Sequence, residues 1–327
     1  MKRLSVLFLA LILMLSACGE GTEKTVEPAG GSPATKKIVT SLFPQYDFAK
    51  RIAGDHAEVS LLLSPGVEAH SFEPTPQDII KVGESDLFIY TGEVLEPWVH
   101  QLLESTDTEG LQVLDLSKHV SLIEGDEDHD HEESDEEAHD DHEHEESDEH
   151  DHDHGSQDPH FWTDPHNAMI MVDDILAAIV ELDGENQADY EAGAATLKEE
   201  LRGLDGALKA LDLDDKELIF AGHNVFGYLG ERYGLDFVSP YRGFSPDAEP
   251  TAQAITEMID LQKKNGTKYI YHEELVEPRV AKAISESTGA EMVLLHGLHN
   301  VSPEDMSVGK GFVEIMKENI EKIKLGL

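Results

Sequence analysis

The chain has 327 residues, with 68 Asp and Glu against 24 Lys and Arg, a formal charge of −44 at pH 7 and one cysteine. That length supplies one large or two medium domains with sizeable cores, while the acidity excludes nucleic acid as a partner, since a phosphate backbone needs a basic face. The lone Cys18 excludes an internal disulfide and a cysteine zinc site; a cationic ligand, by contrast, is drawn in by such a field.

The N-terminus reads as a processing signal. Lys2 and Arg3 precede an apolar run, Leu4 to Ser16, that is too short and wrongly flanked for an ordinary membrane span. It ends in Leu15-Ser16-Ala17-Cys18, which resembles the lipobox of bacterial lipoproteins. Residues 1–18 are therefore expected to be a signal peptide with Cys18 as the lipidated residue, and the Gly-, Thr- and Pro-rich 19–36 a flexible tether.

From Lys37 the pattern alternates. Strands are predicted at 37–42, 59–63, 87–91 and 111–116, with helices at 44–52, from Thr75-Pro76 onward, and at 96–104. Thr75 has the character of an N-cap, with Pro76 at the first helical position. Short Gly/Pro punctuation between these elements indicates an α/β lobe with a mainly parallel sheet, spanning 37–185.

This lobe is interrupted by an acidic tract. Asp126 to His154 holds 18 Asp and Glu and eight histidines (His129, His131, His139, His142, His144, His150, His152 and His154), broken only by Ser134, Ala138 and Ser147. It has nothing apolar to bury, so 124–156 reads as a disordered loop whose imidazoles and carboxylates form weak, adaptable sites for divalent cations.

Helices are predicted at 167–182 and 186–211. In the second, Tyr190, Ala194, Leu197, Leu201, Leu204, Leu208 and Leu211 form one narrow apolar stripe. Gly193, Gly203 and Gly206 weaken it intrinsically, so packing must hold it; it reads as a spine between two lobes. A second α/β lobe, 212–327, is predicted from strands at 217–221, 236–239, 267–271 and 291–295 and helices at 225–233, 251–265, 277–288 and 304–323. Two such lobes joined by a helix form a cleft, and ligands favour the carboxyl ends of the strands.

The histidines outside the tract fall at those ends or in connections: His70, His160, His223, His296 and His299. Zinc takes imidazole nitrogen in tetrahedral array. His56, His100, His119 and His166 read as surface residues.

The segments Ser64-Pro-Gly-Val-Glu-Ala-His70-Ser-Phe-Glu-Pro-Thr-Pro76, Asp158-Pro-His160-Phe-Trp-Thr-Asp-Pro165 and Gly222-His223-Asn-Val-Phe-Gly-Tyr228 resemble the zinc-binding branch of the metal-specific (cluster A-I) solute-binding lipoproteins of ABC importers. The resemblance runs from about Lys37 to the C-terminus. It implies two α/β lobes joined by one rigid helix, with metal in the cleft between them, and it matches the family's first three metal histidines to His70, His160 and His223. The fourth ligand of the family is often Asp or Glu; the matching position here is His299, with His296, His272 and Glu274 as rivals.

The expected function is capture of extracellular Zn²⁺ and its delivery to an ABC permease, by a lipid-anchored monomer on the outer face of the bacterial cell membrane. A surface metal buffer or adhesin, and manganese in place of zinc, are the alternatives. A zinc hydrolase is disfavoured, because four histidines close the position that a catalytic zinc keeps open and no His-Glu-x-x-His occurs.

Overall fold

The computed structural model describes residues 35–124, 157–213, 216–244 and 249–327. Cys18 and the eight tract histidines lie outside the described residues. Thr35–Leu327 packs as one unit.

The first half is built from β1 (Lys36–Thr40), α1 (Phe43–Ala53), β2 (Ala57–Leu61), α2 (Pro76–Gly83), β3 (Leu87–Tyr90), α3 (Trp98–Glu104) and β4 (Gln112–Asp115). All four strands are parallel, in the order β2-β1-β3-β4. The Leu-Phe-Ile-Tyr sequence of β3 is buried along its whole length, as expected of an inner strand covered on both faces. Thr75 caps α2 with a reciprocal box: its side chain accepts the Asp78 N–H, and Asp78 accepts the Thr75 N–H at 2.8 Å. The second strand lies two residues earlier than predicted. Leu62 and Leu63 are buried, but their N–H groups already turn to Thr40 O and Ser41 O, 2.8 and 3.2 Å away.

Two long helices follow, α4 (Pro165–Leu182) and α5 (Gln187–Lys209). The predicted stripe of α5 is buried at Tyr190, Ala194, Leu197, Leu201, Leu204 and Leu208. Leu211 lies beyond the helix end and is half-buried. The 23 residues of α5 span about 35 Å, and the helix packs against α1 and α4 on one side of the chain. Gly193 proves to be a packing residue: a Cβ there would stand 2.7 Å from Arg51 O, so only glycine lets α1 come this close. Gly203 and Gly206 face open space.

The second half contains β5 (Lys216–Ile219), α6 (Gly227–Tyr233), β6 (Leu235–Val238), α7 (Ala252–Asn265), β7 (Tyr269–His272), α8 (Arg279–Thr288), β8 (Glu291–Leu294), α9 (Pro303–Ser307) and α10 (Phe312–Gly326). β5 pairs with β6 and β7 with β8, both in parallel, and a parallel bridge from Phe220 to Tyr271 links the pairs. α10 also contacts α5, so the long helix touches elements of both halves.

Two predicted helices change. The single closing helix is split into α9 and α10, because Gly309 adopts φ +70° and Gly311 becomes the cap of a new helix whose Phe312 N–H is accepted by Asp47. The helix expected from Val225 starts at Gly227 instead, since Asn224 Oδ1 accepts the Phe226 N–H and holds that turn open.

Candidate metal centre

The connections that follow β2, β5 and β8 carry His70, His223 and His299, and His160 lies between the Gln157 bridge and α4. His70 lies in the long connection from β2 to α2, whose Ser64 and Val67 carbonyls both accept from Asn300 Nδ2, at 2.7 and 2.9 Å. His299 lies just before Asn300, in the connection from β8 to α9, so one amide side chain ties the His70 segment to the His299 segment. Gly66 N–H donating to Val301 O at 2.8 Å, and Phe43 N–H to His299 O at 3.2 Å, fasten the same junction.

His160 precedes a 3₁₀ turn, Phe161–Thr163. Thr163 Oγ1 lies within hydrogen-bonding distance of both His160 O and Val225 O, at 3.0 and 3.1 Å, joining this turn to the His223 segment. Trp162 Nε1 donates to Gly297 O at 2.9 Å, joining it to the His299 segment. The Tyr228 hydroxyl donates to Asp158 O and accepts the Ile123 N–H, which fixes both chain ends from which the acidic tract departs.

Each of His70, His160, His223 and His299 presents one ring nitrogen to a common point, and these four atoms lie within 4.8 Å of one another. His70 Nε2 is 3.2 Å from His223 Nε2 and 3.5 Å from His160 Nε2. His299 Nε2 is buried without a hydrogen-bond partner. His160, His223 and His299 are buried and His70 half-buried. Burial, reinforced by the neighbouring His299 and His223, lowers the His70 ring to about 2. Burial and the other three histidines hold His160 well below the usual imidazole range. Both rings are therefore neutral at pH 7, with a lone pair free for a cation.

Carboxylates stand behind three of the rings. Asp158 Oδ1 lies 2.7 Å from His160 Nδ1 and also accepts the His160 backbone N–H at 2.9 Å. Burial lifts the Asp158 carboxyl to about 7 against that backbone hydrogen bond. Glu273 Oε2 approaches His223 Nδ1 to 2.5 Å, though not in the alignment of a hydrogen bond. Glu274 Oε1 lies 3.8 Å from His299 Nδ1. Glycines make room for two of these acids: a Cβ on Gly227 would meet Asp158 Oδ2 at 2.5 Å and one on Gly222 would meet Glu273 Oε1 at 2.9 Å.

The rivals for the fourth position are not in this group of four. His272 Nδ1 lies 2.9 Å from Glu273 O, and His296 Nδ1 accepts the Leu298 N–H at 2.9 Å, so that nitrogen of each ring is committed to the local backbone. His296 is further held by paired bonds between its backbone and the Asn319 amide. Glu274 sits behind His299 and is not among the four. His100, His119 and His166 are exposed and His56 is half-buried. Glu73, a neighbour of His70 in sequence, is exposed; the acid that holds the His70 backbone N–H is Glu68, at 2.9 Å. Glu273 is not singled out by the sequence, although its neighbour Glu274 is a rival for the fourth ligand: one more acid just past a strand on an acidic chain looks like solvated surface.

The family described as ZnuA, zinc-uptake complex component A, periplasmic, matches residues 38–326. The chain is 36% identical over 327 residues to the high-affinity zinc uptake system protein ZnuA of Bacillus subtilis (strain 168), covering 99% of this chain and 97% of that protein. It is 31% identical over 330 residues to the zinc-binding lipoprotein AdcA of Streptococcus pneumoniae serotype 4, covering 99% of this chain but only 61% of that longer protein. Among solved structures it is similar to the Zn(II)-bound ZnuA-like domain of Streptococcus pneumoniae AdcA, with a TM-score of 0.71 at 29% identity over 89% of this chain and 98% of that one. With nearly all of the described chain inside the family match and a relative of full length above 30% identity, this protein belongs to the ZnuA family.

Proposed function

We propose that the chain captures Zn²⁺ at His70, His160, His223 and His299 and hands it to an ABC permease for import. One observation carries this reading. A tetrahedral zinc with nitrogen ligands at 2.0–2.1 Å has an N···N edge of about 3.3–3.4 Å, and the His70–His223 and His70–His160 nitrogen pairs stand at 3.2 and 3.5 Å. An all-imidazole set suits zinc over manganese, which takes harder oxygen ligands. Four protein donors fill the tetrahedron, which suits holding and releasing a cation and gives no open position for catalysis.

On the same reading, residues 37–185 and 212–327 are two lobes, with α5 as the spine between them, and the metal sits where their strand ends meet. Cys18 carries the lipid that keeps a monomer on the outer face of the membrane, and the eight tract histidines collect cations for the tight site. Among the described residues no helix is long and apolar enough to cross a membrane. The names of the relatives, a zinc uptake system protein and a zinc-binding lipoprotein, support both the cargo and the anchor.

The test is a competition titration with a zinc chelator, paired with growth of the host strain under zinc depletion. One tight site per chain, lost together with growth when His70, His160 or His223 becomes Ala, is the expected result. A tight site that survives all three substitutions sinks the reading.

A further inference from the structure

We infer that Glu274 is the positioning residue for His299: its carboxylate faces Nδ1 of that ring, keeps the ring's proton on that nitrogen and so aims Nε2, as a lone pair, at the metal point. The inference rests on His299 being a ligand and deepens that reading.

Three observations converge on it. The first is the sharing of acceptors around Glu274, a buried side chain. Its Oε2 accepts the Gly297 N–H at 2.6 Å. The other nearby ring, His296, has Nδ1 3.3 Å from Oε1. That nitrogen already accepts the Leu298 N–H and so has no proton to offer. Oε1 is left to His299, whose Nδ1 is 3.8 Å away. A proton on His299 Nδ1 makes Nε2 the bare nitrogen, and Nε2 is the buried atom without a partner.

The second is backbone strain. Among the described residues only two non-glycine residues have positive φ, Leu275 at 58° and Leu298 at 69°. One directly follows Glu274 and the other directly precedes His299. A leucine in the left-handed region is unfavourable and persists where surrounding contacts enforce it. The bond from Gly297 to Glu274 links these two strained turns, so strain is held where carboxylate and imidazole must face each other.

The third is the fit. The four ligand atoms spread to 4.8 Å, wider than the tetrahedral edge of about 3.3–3.4 Å. Some ring must shift inward on binding, and a carboxylate that follows His299 Nδ1 keeps the shifting ring in one tautomer. It also supplies negative charge behind a donor set that is otherwise neutral.

The test is a double-mutant cycle in the full-length chain, read by zinc-chelator competition, which reports only the tight site. Glu274→Gln keeps the shape and should weaken zinc binding about tenfold; Glu274→Ala should weaken it by up to about 100-fold. If the Ala form does not fold, the Gln arm alone decides. In the His299→Ala background, Glu274→Gln should cost nothing further, because its effect passes through that ring. The same tenfold loss with and without His299 overturns the inference. A His299→Ala chain that binds zinc like the parent overturns the ligand reading itself, which separates the two failures. Long-range nitrogen–proton NMR of the zinc-free parent should show the His299 ring protonated at Nδ1. The Nε2-protonated form there would likewise overturn the inference.

Discussion

His70 Nε2 lies 3.2 Å from His223 Nε2, although 153 residues of chain separate them. One nitrogen comes from the connection after an edge strand of the first sheet and the other from the connection after β5. A buried histidine usually hydrogen-bonds to backbone, carboxylate or water; these two nitrogens face another imidazole instead. Two ring nitrogens facing each other at that distance leave either one shared proton or a shared cation, and His160 and His299 converge on the same point.

That convergence gives the first prediction. Replacing His70, His160 or His223 by Ala should weaken zinc binding by about two orders of magnitude or more each, because three nitrogens no longer close a tetrahedron and the missing donor must come from water. X-ray absorption of the parent should show four nitrogen neighbours at about 2.0–2.1 Å. A zinc shell dominated by oxygen would mean that the metal sits elsewhere.

His299 permits a more selective change. His299→Asp replaces an imidazole with a hard, anionic oxygen and should move the preference toward Mn²⁺, while zinc affinity falls by about tenfold. His299→Ala should cost less than loss of any of the other three if water fills the vacancy. The check is a paired zinc and manganese titration of each variant; an unchanged metal preference in the Asp form would count against His299 as a ligand.

Deleting Asp126 to His154 should remove weak cation sites and leave the tight one intact, because clusters that are not preorganised bind weakly. The base of the tract tolerates the cut: Glu124 and Gln157 form an antiparallel bridge and Asp158 N–H donates to Ile123 O at 2.9 Å. Calorimetry should show one strong site without the trailing weak heats. Loss of the strong site would assign a primary ligand to the tract.

Cys18→Ser should leave an unprocessed or soluble precursor, since lipid attachment needs the thiol. Membrane fractionation reads the outcome. A Ser variant that is still cleaved and sediments with membranes would remove the lipoprotein reading.

A fifth prediction concerns stability far from the metal. Burial raises the Glu96 carboxyl from 4.5 to about 7, against hydrogen bonds from Ser41, Thr91 and Gly92. The folded chain therefore holds this proton more tightly than the unfolded chain. The contribution to stability is full below pH 4.5 and declines as pH rises to about 7, by at most ~3 kcal/mol. Glu96→Gln mimics the protonated form and should flatten that part of the curve. Urea unfolding of both zinc-free proteins from pH 4.5 to 7.5 is the measurement; parallel curves would show that Glu96 ionises without cost.

Much of this protein was legible in the sequence because the signals are local. The stripe from Tyr190 to Leu208 announces one long amphipathic helix by its period alone, and Thr75-Pro76 announces a helix start, since capping uses side chains three residues apart. The parallel class follows from alternating elements, because parallel neighbours need a crossover between them. His70, His160 and His223 stand out through the segments around them. Other features depend on groups distant in sequence, and only the tertiary structure decides them. Asn300 ties the His70 segment to the His299 segment across 236 and 233 residues. The resemblance favours His299 but leaves His296, three residues away, as a rival; the fold gives His296 Nδ1 a backbone N–H to accept and leaves His299 Nε2 without a partner. Glu273 looks like a solvated acid, and Glu274 like a rival ligand, until the fold sets Glu273 beside His223 and Glu274 beside His299. Which ring is a ligand and which a strut depends on where the other nitrogen finds its hydrogen bond, and that partner is set by packing, not by sequence neighbours.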